Sequence, residues 1–368
     1  MYYAKLVYGE QAIKGDTTVT ANTNTTHAPT AVKVGLVGYG WWGKTIARQV
    51  ATSSWLQLTA VAEVDASARA AMATDPVLAG VAIFDSPESL MAHPGLEAII
   101  LCTPHQQHAD QMVAAAKANL HIFCEKPLCL TLADAQRAMA QCQAKNLVLG
   151  IGHERRFEPE IMAMRQLIAD GTLGEVLQIE ANFSQDKFFA LPKDNWRLSN
   201  KHAPVGPLTA TGIHLVDLSI ALLGPCESVW ARLATLGSSF ENGDTLGIMM
   251  GFHNGANAMI SAILATPFEG RFAVYGSKGW IEIRDRTHPE NPTGWDITTV
   301  LRGQAPQTRF AAPHPTVLAN LEAFAKAIRH VAPYPVTAQE MLANVAALEA
   351  IMTSVQSRSL VKVAAPHL

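Results

Sequence analysis

The run Val32–Val37, apolar but for Lys33, leads without a break into Gly38-Tyr39-Gly40-Trp41-Trp42-Gly43, and a helical pattern follows from Lys44 to Thr52. This ordering constrains the fold more than any other feature of the chain. A short buried strand that ends in Gly-x-Gly-x-x-Gly and opens a helix is the entry unit of a dinucleotide-binding α/β fold. Gly38 allows the tight turn, Gly40 lets the backbone approach a pyrophosphate, and Gly43 lets helix and strand pack closely. The phosphates would rest on the amides of the helix N-terminus, at Trp41 and Trp42. Glu63, twenty residues beyond Gly43, stands at the end of the second predicted strand. A carboxylate there accepts hydrogen bonds from the adenosine ribose and repels a 2′-phosphate. No arginine or lysine follows before Arg69. The predicted cofactor is NAD, with NADP the less favoured form.

Further strands are predicted at Leu58–Ala62, Ala98–Cys102, His121–Cys124 and Leu147–Ile151, with helices at Ala66–Ala73, Ala109–Ala118 and Leu132–Lys145 between them. Such alternation indicates a parallel sheet covered on both faces. After Gly152 it weakens. A helix is predicted at Pro159–Ile168, then strands at Val176–Phe183, Ser228–Leu236, Thr245–Phe252, Ala256–Ile263, Arg271–Tyr275 and Trp280–Arg284. Helices are predicted at Ile213–Leu223, Val317–Ile328 and Ala338–Ser357. Turn residues at His253-Asn254-Gly255 and Gly276-Ser277-Lys278-Gly279 separate several strands, and the second is expected to be a plain hairpin turn. The expected fold class is α/β: a doubly wound parallel Rossmann sheet over residues 32–151, then an α+β domain with a large, mainly antiparallel open sheet over residues 152–368. Residues 1–31, rich in Thr, Asn and Ala from Asp16 to Thr30, are expected to be a flexible leader or an arm.

Composition removes several function classes. A formal net charge of −3 gives no electrostatic footprint for nucleic acid. No apolar run reaches the length needed to span a bilayer, and no signal-peptide core opens the chain. Five cysteines without a CxxC pair indicate reduced thiols in a cytoplasmic protein. Thirteen scattered histidines without HExxH give no metal site.

Two further motifs follow strand ends, where doubly wound sheets place ligands. Thr103-Pro104-His105-Gln106-Gln107-His108 follows the third strand, and Glu125-Lys126-Pro127 the fourth. With the glycine loop they resemble the glucose–fructose oxidoreductase, inositol dehydrogenase and rhizopine-catabolism family (Gfo/Idh/MocA). Gly152-His153-Glu154-Arg155-Arg156-Phe157-Glu158-Pro159, Gly171-Thr172-Leu173-Gly174-Glu175-Val176, Trp196-Arg197 and Gly212-Ile213-His214 continue the likeness in order. The resemblance implies that Thr103, Pro104, His105, His108, Glu125 and Lys126 border the cofactor. It also implies that Lys126 touches both nicotinamide ribose and substrate hydroxyl, and that His214 is the second acid–base residue. A lysine desolvated beside a cofactor has a lowered pKa and can relay a proton, as alcohol oxidation requires. Arg155, Trp196 and Arg197 match family positions near the nicotinamide or the substrate. Asp186 and Lys187, amid Phe183, Phe188 and Phe189, are further candidates for substrate recognition.

The chain departs from the family at one place. Members often carry an aspartate four residues before the histidine, where it orients the histidine or the substrate. This chain has Ala210, between Thr209 and Thr211. The leading expectation is an NAD-dependent dehydrogenase or reductase acting on a carbinol of a sugar, cyclitol or related polar alcohol. One alternative is oxidation of an aromatic-acid cis-dihydrodiol, suggested by the phenylalanines at 183–189. Another is an NAD-binding regulatory protein with little turnover, suggested by Ala210. Apolar residues on both faces of the strands around Met259 and Trp230 imply an open sheet that a second copy covers, in a dimer or a tetramer.

Overall fold

The computed structural model describes residues 30–366; the predicted leader at 1–31 lies almost wholly outside the described residues. From Ala31 onward the chain forms one unit. It opens with β1 (Val32–Val37), α1 (Trp41–Thr52), β2 (Leu56–Ala62), α2 (Ala66–Met72), β3 (Ala82–Phe84), α3 (Pro87–Met91) and β4 (Ala98–Leu101). Then come α4 (His108–Lys117), β5 (His121–Cys124), α5 (Leu132–Ala144) and β6 (Leu149–Ile151). The six strands pair in parallel in the order β3-β2-β1-β4-β5-β6. The winding reverses between β1 and β4, so their C-terminal ends open a crevice.

Period-2 alternation in β1 decides which helices cover which face. Val32, Val34 and Leu36 pack with Ile46, Ala47 and Val50 of α1. Val37 turns to the other face, with Met112, Ala115 and Ala116 of α4 and Ala135, Ala138 and Met139 of α5. Local capping fixes the helix starts: Thr131 Oγ1 accepts from the Asp134 amide at α5, and the Asp65 carboxylate from the Ala68 amide at α2.

The remaining elements are α6 (Pro159–Ala169), β7 (Val176–Ser184), α7 (Ile213–Leu223), β8 (Cys226–Ala234), β9 (Thr245–Phe252) and β10 (Asn257–Ile263). They continue with β11 (Glu269–Gly276), β12 (Gly279–Asp285), β13 (Trp295–Leu301), β14 (Gln307–Ala311), α8 (Thr316–Ile328), α9 (Ala338–Ser357) and β15 (Val361–Lys362). Nine strands form the second sheet in the order β14-β13-β12-β11-β7-β10-β9-β8-β15, antiparallel except for the β7–β10 pair. Helices α6, α7 and α9 bury one face of it, against Ile179, Ile248, Ile260, Phe272 and Ile283 among others. On the opposite face Trp230, Met249 and Met259 stand in register across β8, β9 and β10, each more than two-fifths exposed. Helix α8 returns to the first sheet: Leu321, Phe324 and Ile328 pack with Val34, Ile100 and Phe123.

Several elements differ from the sequence expectation. The first helix starts at Trp41 rather than Lys44, because Gly40 is its N-cap. Strand β3 and helix α3 were not expected; they have three and five residues, too few to show a period. Strand β13 carries polar threonines and β14 is an exposed edge, so neither has the apolar run that marks a strand. A π-helical turn, Leu208–Gly212, runs directly into α7. The Gly276–Gly279 turn is the hairpin between β11 and β12. Among the described residues no helix is long and apolar enough to cross a membrane, and no cluster of His, Cys, Asp or Glu is arranged for a metal ion.

Candidate active site

The glycine loop ends β1 at the crevice. Gly38 has φ +89°, and a Cβ there would lie 2.8 Å from the Cys102 carbonyl oxygen at the end of β4. A Cβ on Gly43 would drive into the Gly38 carbonyl oxygen. Gly40, by contrast, has no protein atom within 4 Å of its ideal Cβ, and no side chain caps the α1 N-terminus it opens. A tight turn, a close helix contact and an open approach to free amides are the three features a pyrophosphate needs, so the residues fit a dinucleotide. Glu63 Oε2 accepts from the Tyr39 amide at 2.8 Å, which holds the carboxylate against the loop at the tip of β2. Arg69 spends its Nη1 on the carbonyls of Glu63 and Val64, at 2.7 and 2.8 Å.

A cleft lies beyond the loop, enclosing about 940 Å³ with its open mouth included. Of the residues predicted for the site, Trp41, Trp42, Thr103, His105, Glu125, Lys126, Trp196, Arg197 and His214 line it. Lys126, just past β5, donates from Nζ to the Ala210 carbonyl at 2.7 Å and more loosely to that of Thr209 at 3.4 Å. The π-helical turn therefore presents backbone carbonyls to the lysine at the position where an aspartate was expected. His214 follows in the first turn of α7, its ring against His153 and Phe183 at centroid distances of 6.4 and 5.9 Å. Arg197 stacks on Trp196 at 4.3 Å, and His105 meets Trp196 edge-on at 4.9 Å.

Five residues predicted beyond the glycine loop do not line the cleft. His108 is buried, its Nδ1 bonded to the Pro127 carbonyl (2.9 Å) and its Nε2 to that of Thr103 (3.0 Å), so it braces two motifs from behind. Arg155 is buried in ion pairs with Glu158 (2.7 Å) and Asp285 (3.0 Å). Asp186 and Lys187 are exposed and do not line the cleft, although Lys187 pairs at 2.7 Å with Glu290, which does. Pro104 supports the cleft only as the N-cap of the short turn His105–Gln107. Conversely, Glu154, Gln185, His288 and Glu290 line the cleft without having been expected there. Glu154 lay within a motif that the sequence analysis quoted. The loop between β12 and β13 that bears His288 and Glu290 carried no sequence signal.

The charges in the cleft are shifted chiefly by burial. Burial lowers the Lys126 pKa, and the carboxylates of Glu154 and Glu125 partly restore it. Burial pushes the carboxyls of Glu125 and Glu154 up to about 7 each. It takes His214 well below the usual imidazole value, with Lys126 adding to the fall, so this imidazole is neutral at pH 7. Arg197 falls to about 10 for the same reason.

Residues 32–153 match the family model described as "Oxidoreductase family, NAD-binding Rossmann fold", and residues 161–282 match "GFO/IDH/MocA C-terminal domain". The oxidoreductase YdgJ of Escherichia coli is 29% identical over 67% of this chain and 70% of its own length. Inositol 2-dehydrogenase of Rhizobium meliloti is 29% identical over 90% of this chain and 99% of its own. Among solved structures, an oxidoreductase of Desulfitobacterium hafniense, provisionally named as NADPH-dependent, superposes with a TM-score of 0.81 at 25% identity, over 90% of this chain and 97% of that one.

Proposed function

We propose that this chain, which belongs to the Gfo/Idh/MocA oxidoreductases, transfers a hydride between NAD and a carbinol of a sugar, cyclitol or related polar alcohol. It is an NAD-binding oxidoreductase acting on CH–OH groups; the substrate class and the residue roles are our inference. We assign residues 32–151 to dinucleotide binding and 152–368 to substrate recognition and assembly. Relatives named inositol 2-dehydrogenase and 1,5-anhydro-D-fructose reductase support a polyol or sugar.

The observation that carries the reading is the position of Lys126, held by two backbone carbonyls in the same cleft as His214. When bound, NAD supplies the hydride acceptor. The chain must then remove the hydroxyl proton. A neutral amine that gives its two hydrogens to the Thr209 and Ala210 carbonyls keeps its lone pair for that proton. The lowered pKa makes the neutral form accessible. The neutral imidazole of His214 is a second acceptor and passes the proton onward. Arg197, stacked on Trp196 and bonded to no carboxylate among the described residues, is free to bind an oxygen of substrate or cofactor.

The apolar wall of Phe183 and Phe188 supports a second reading, oxidation of an aromatic cis-dihydrodiol. A panel of cyclitols, sugars, polyols and dihydrodiols, followed by NADH absorbance with NAD and NADP in parallel, separates the two. Turnover confined to dihydrodiols sinks the first reading. NAD binding without turnover on any substrate points instead to a regulatory protein.

A further inference from the structure

We propose that Glu154 takes the place of the aspartate missing at position 210, as the positioning residue whose carboxylate holds His214 through Nδ1 and supplies the negative charge beside Lys126. This rests on the reading of Lys126 and His214 as the proton relay. Glu154 Oε1 lies 3.7 Å from His214 Nδ1, with both side chains almost fully buried. His214 Nδ1 is buried without a hydrogen-bond partner among the described residues, and so is the other oxygen of the same carboxylate, Glu154 Oε2. A buried polar atom without a partner is costly, and a displacement of well under 1 Å brings Nδ1 into bonding range of Oε1. Donation of Nδ1–H to Glu154 fixes the tautomer and leaves Nε2 as the acceptor nitrogen.

The backbone explains why the charge comes from this side. Ala210 offers Lys126 only a carbonyl, and Thr209 another. Glu154 reaches the cleft from the short turn Glu154–Phe157 that follows β6. Among the charges around Lys126, Glu154 exerts the strongest pull toward the protonated form, ahead of Glu125 and Glu290, while Arg197 opposes it. His153, Arg155 and His288 face His214 and disfavour its protonation, as does Lys126. Glu125 and Arg155 also face Glu154, with opposite effects. Glu154 lies within 4 Å of the imidazole, whereas Glu125 is packed with its carboxylate on Gly152, whose ideal Cβ would lie 2.5 Å from Oε2.

The test uses full-length protein with saturating NAD and four forms: wild type, Glu154→Gln, Ala210→Asp and the double variant. Glu154→Gln keeps the shape and removes the ionisable carboxyl, which burial pushes up to about 7. It is expected to lower kcat about tenfold or more at near-constant KM. Loss of a carboxylate lowers the pKa of either base, so the acid limb of kcat/KM should move down by about one pH unit. Adding Ala210→Asp should return both toward wild type. A readout independent of turnover is the nitrogen spectrum of ¹⁵N-labelled histidines, with His214 assigned by its loss in His214→Asn; wild type should carry the proton on Nδ1. A wild-type His214 protonated on Nε2 overturns the proposal, as does Glu154→Gln with its acid limb unmoved and most of its turnover retained. If wild type turns over nothing on the panel but carries the Nδ1 proton, the polyol reading fails and the Glu154–His214 contact stands.

Discussion

Two glycines of one loop should fail in different ways when given a methyl group. At Gly40 a Cβ points into space empty of protein, and φ is −68°, which alanine adopts freely. Alanine is a poorer N-cap than glycine, at a cost of about 0.5–1 kcal/mol, but it restricts the unfolded chain by about 0.4–1 kcal/mol. The two nearly cancel, so Gly40→Ala should melt within a degree or two of wild type. At Gly43 the Cβ meets the Gly38 carbonyl oxygen, and only a backbone shift relieves it. Such overpacking costs about 1–3 kcal/mol, against which helix propensity returns about 1. Gly43→Ala should therefore melt lower and carry a distorted loop. NAD at a hundredfold excess over Kd stabilises a protein by about 2.7 kcal/mol, and a tenfold loss of affinity removes about half of that. Thermal melts with and without NAD give the comparison. We expect Gly40→Ala to lose at least half of its NAD-induced stabilisation with its apo Tm intact, and Gly43→Ala to lose both. A Gly40→Ala protein with the full NAD shift would refute the placement of the pyrophosphate at this loop.

Because Glu63 is held against the glycine loop, where we place the ribose, and Arg69 is committed to two carbonyls, NAD should bind more tightly than NADP; calorimetric titration showing the reverse order sinks that argument. Lys126→Ala should fold normally and lose at least ~99% of kcat, and wild-type kcat/KM for oxidation should rise with pH as Lys126 deprotonates. Retention of a tenth of the turnover by that variant contradicts proton transfer through the amine. Arg155→Ala strands the carboxylates of Glu158 and Asp285 in the core and should cost about 3–5 kcal/mol, read as a clear fall in the urea midpoint. The apolar row Trp230–Met249–Met259 should be covered by a second copy. Sedimentation at micromolar concentration is expected to give a dimer or larger, and a single species at the 39.5 kDa chain mass rejects this.

The first sheet was legible in the sequence because each inner strand is buried on both faces, and Val32–Val37 or Ala98–Leu101 reads as an apolar block between glycine and helix signals. Its edge was not: Ala82–Phe84 is half-exposed and too short for a pattern. In the second sheet, strands that pack on α7 and α9 alternate clearly, as in β9, whose buried residues fall at every second position. Strands β13 and β14 lie at the far end and carry threonine, glutamine and arginine. Helix α8 was found as a helix, but its apolar face gave no indication that it crosses back to the first sheet. Nothing in Leu321, Phe324 and Ile328 states which of two apolar sheets they will meet.

The site shows the same division at finer scale. Motifs marked residues that the structure brings to the crevice: the glycine loop, the lysine after β5, and the histidine that opens α7. They do not say which of two neighbours in one motif faces the cleft. In Glu154-Arg155 the resemblance selects the arginine, yet the short turn at Glu154–Phe157 sends Arg155 into ion pairs with Glu158 and Asp285. Its neighbour Glu154 reaches the cleft beside Lys126 and His214. Ala210 alone suggests a weakened enzyme, because a charge is missing from the relay. If Glu154 holds His214 as proposed, the cleft again combines a lysine, an imidazole and a carboxylate. Position 210 would then no longer argue by itself for lost turnover, and the Glu154→Gln measurement bears on the regulatory reading as well.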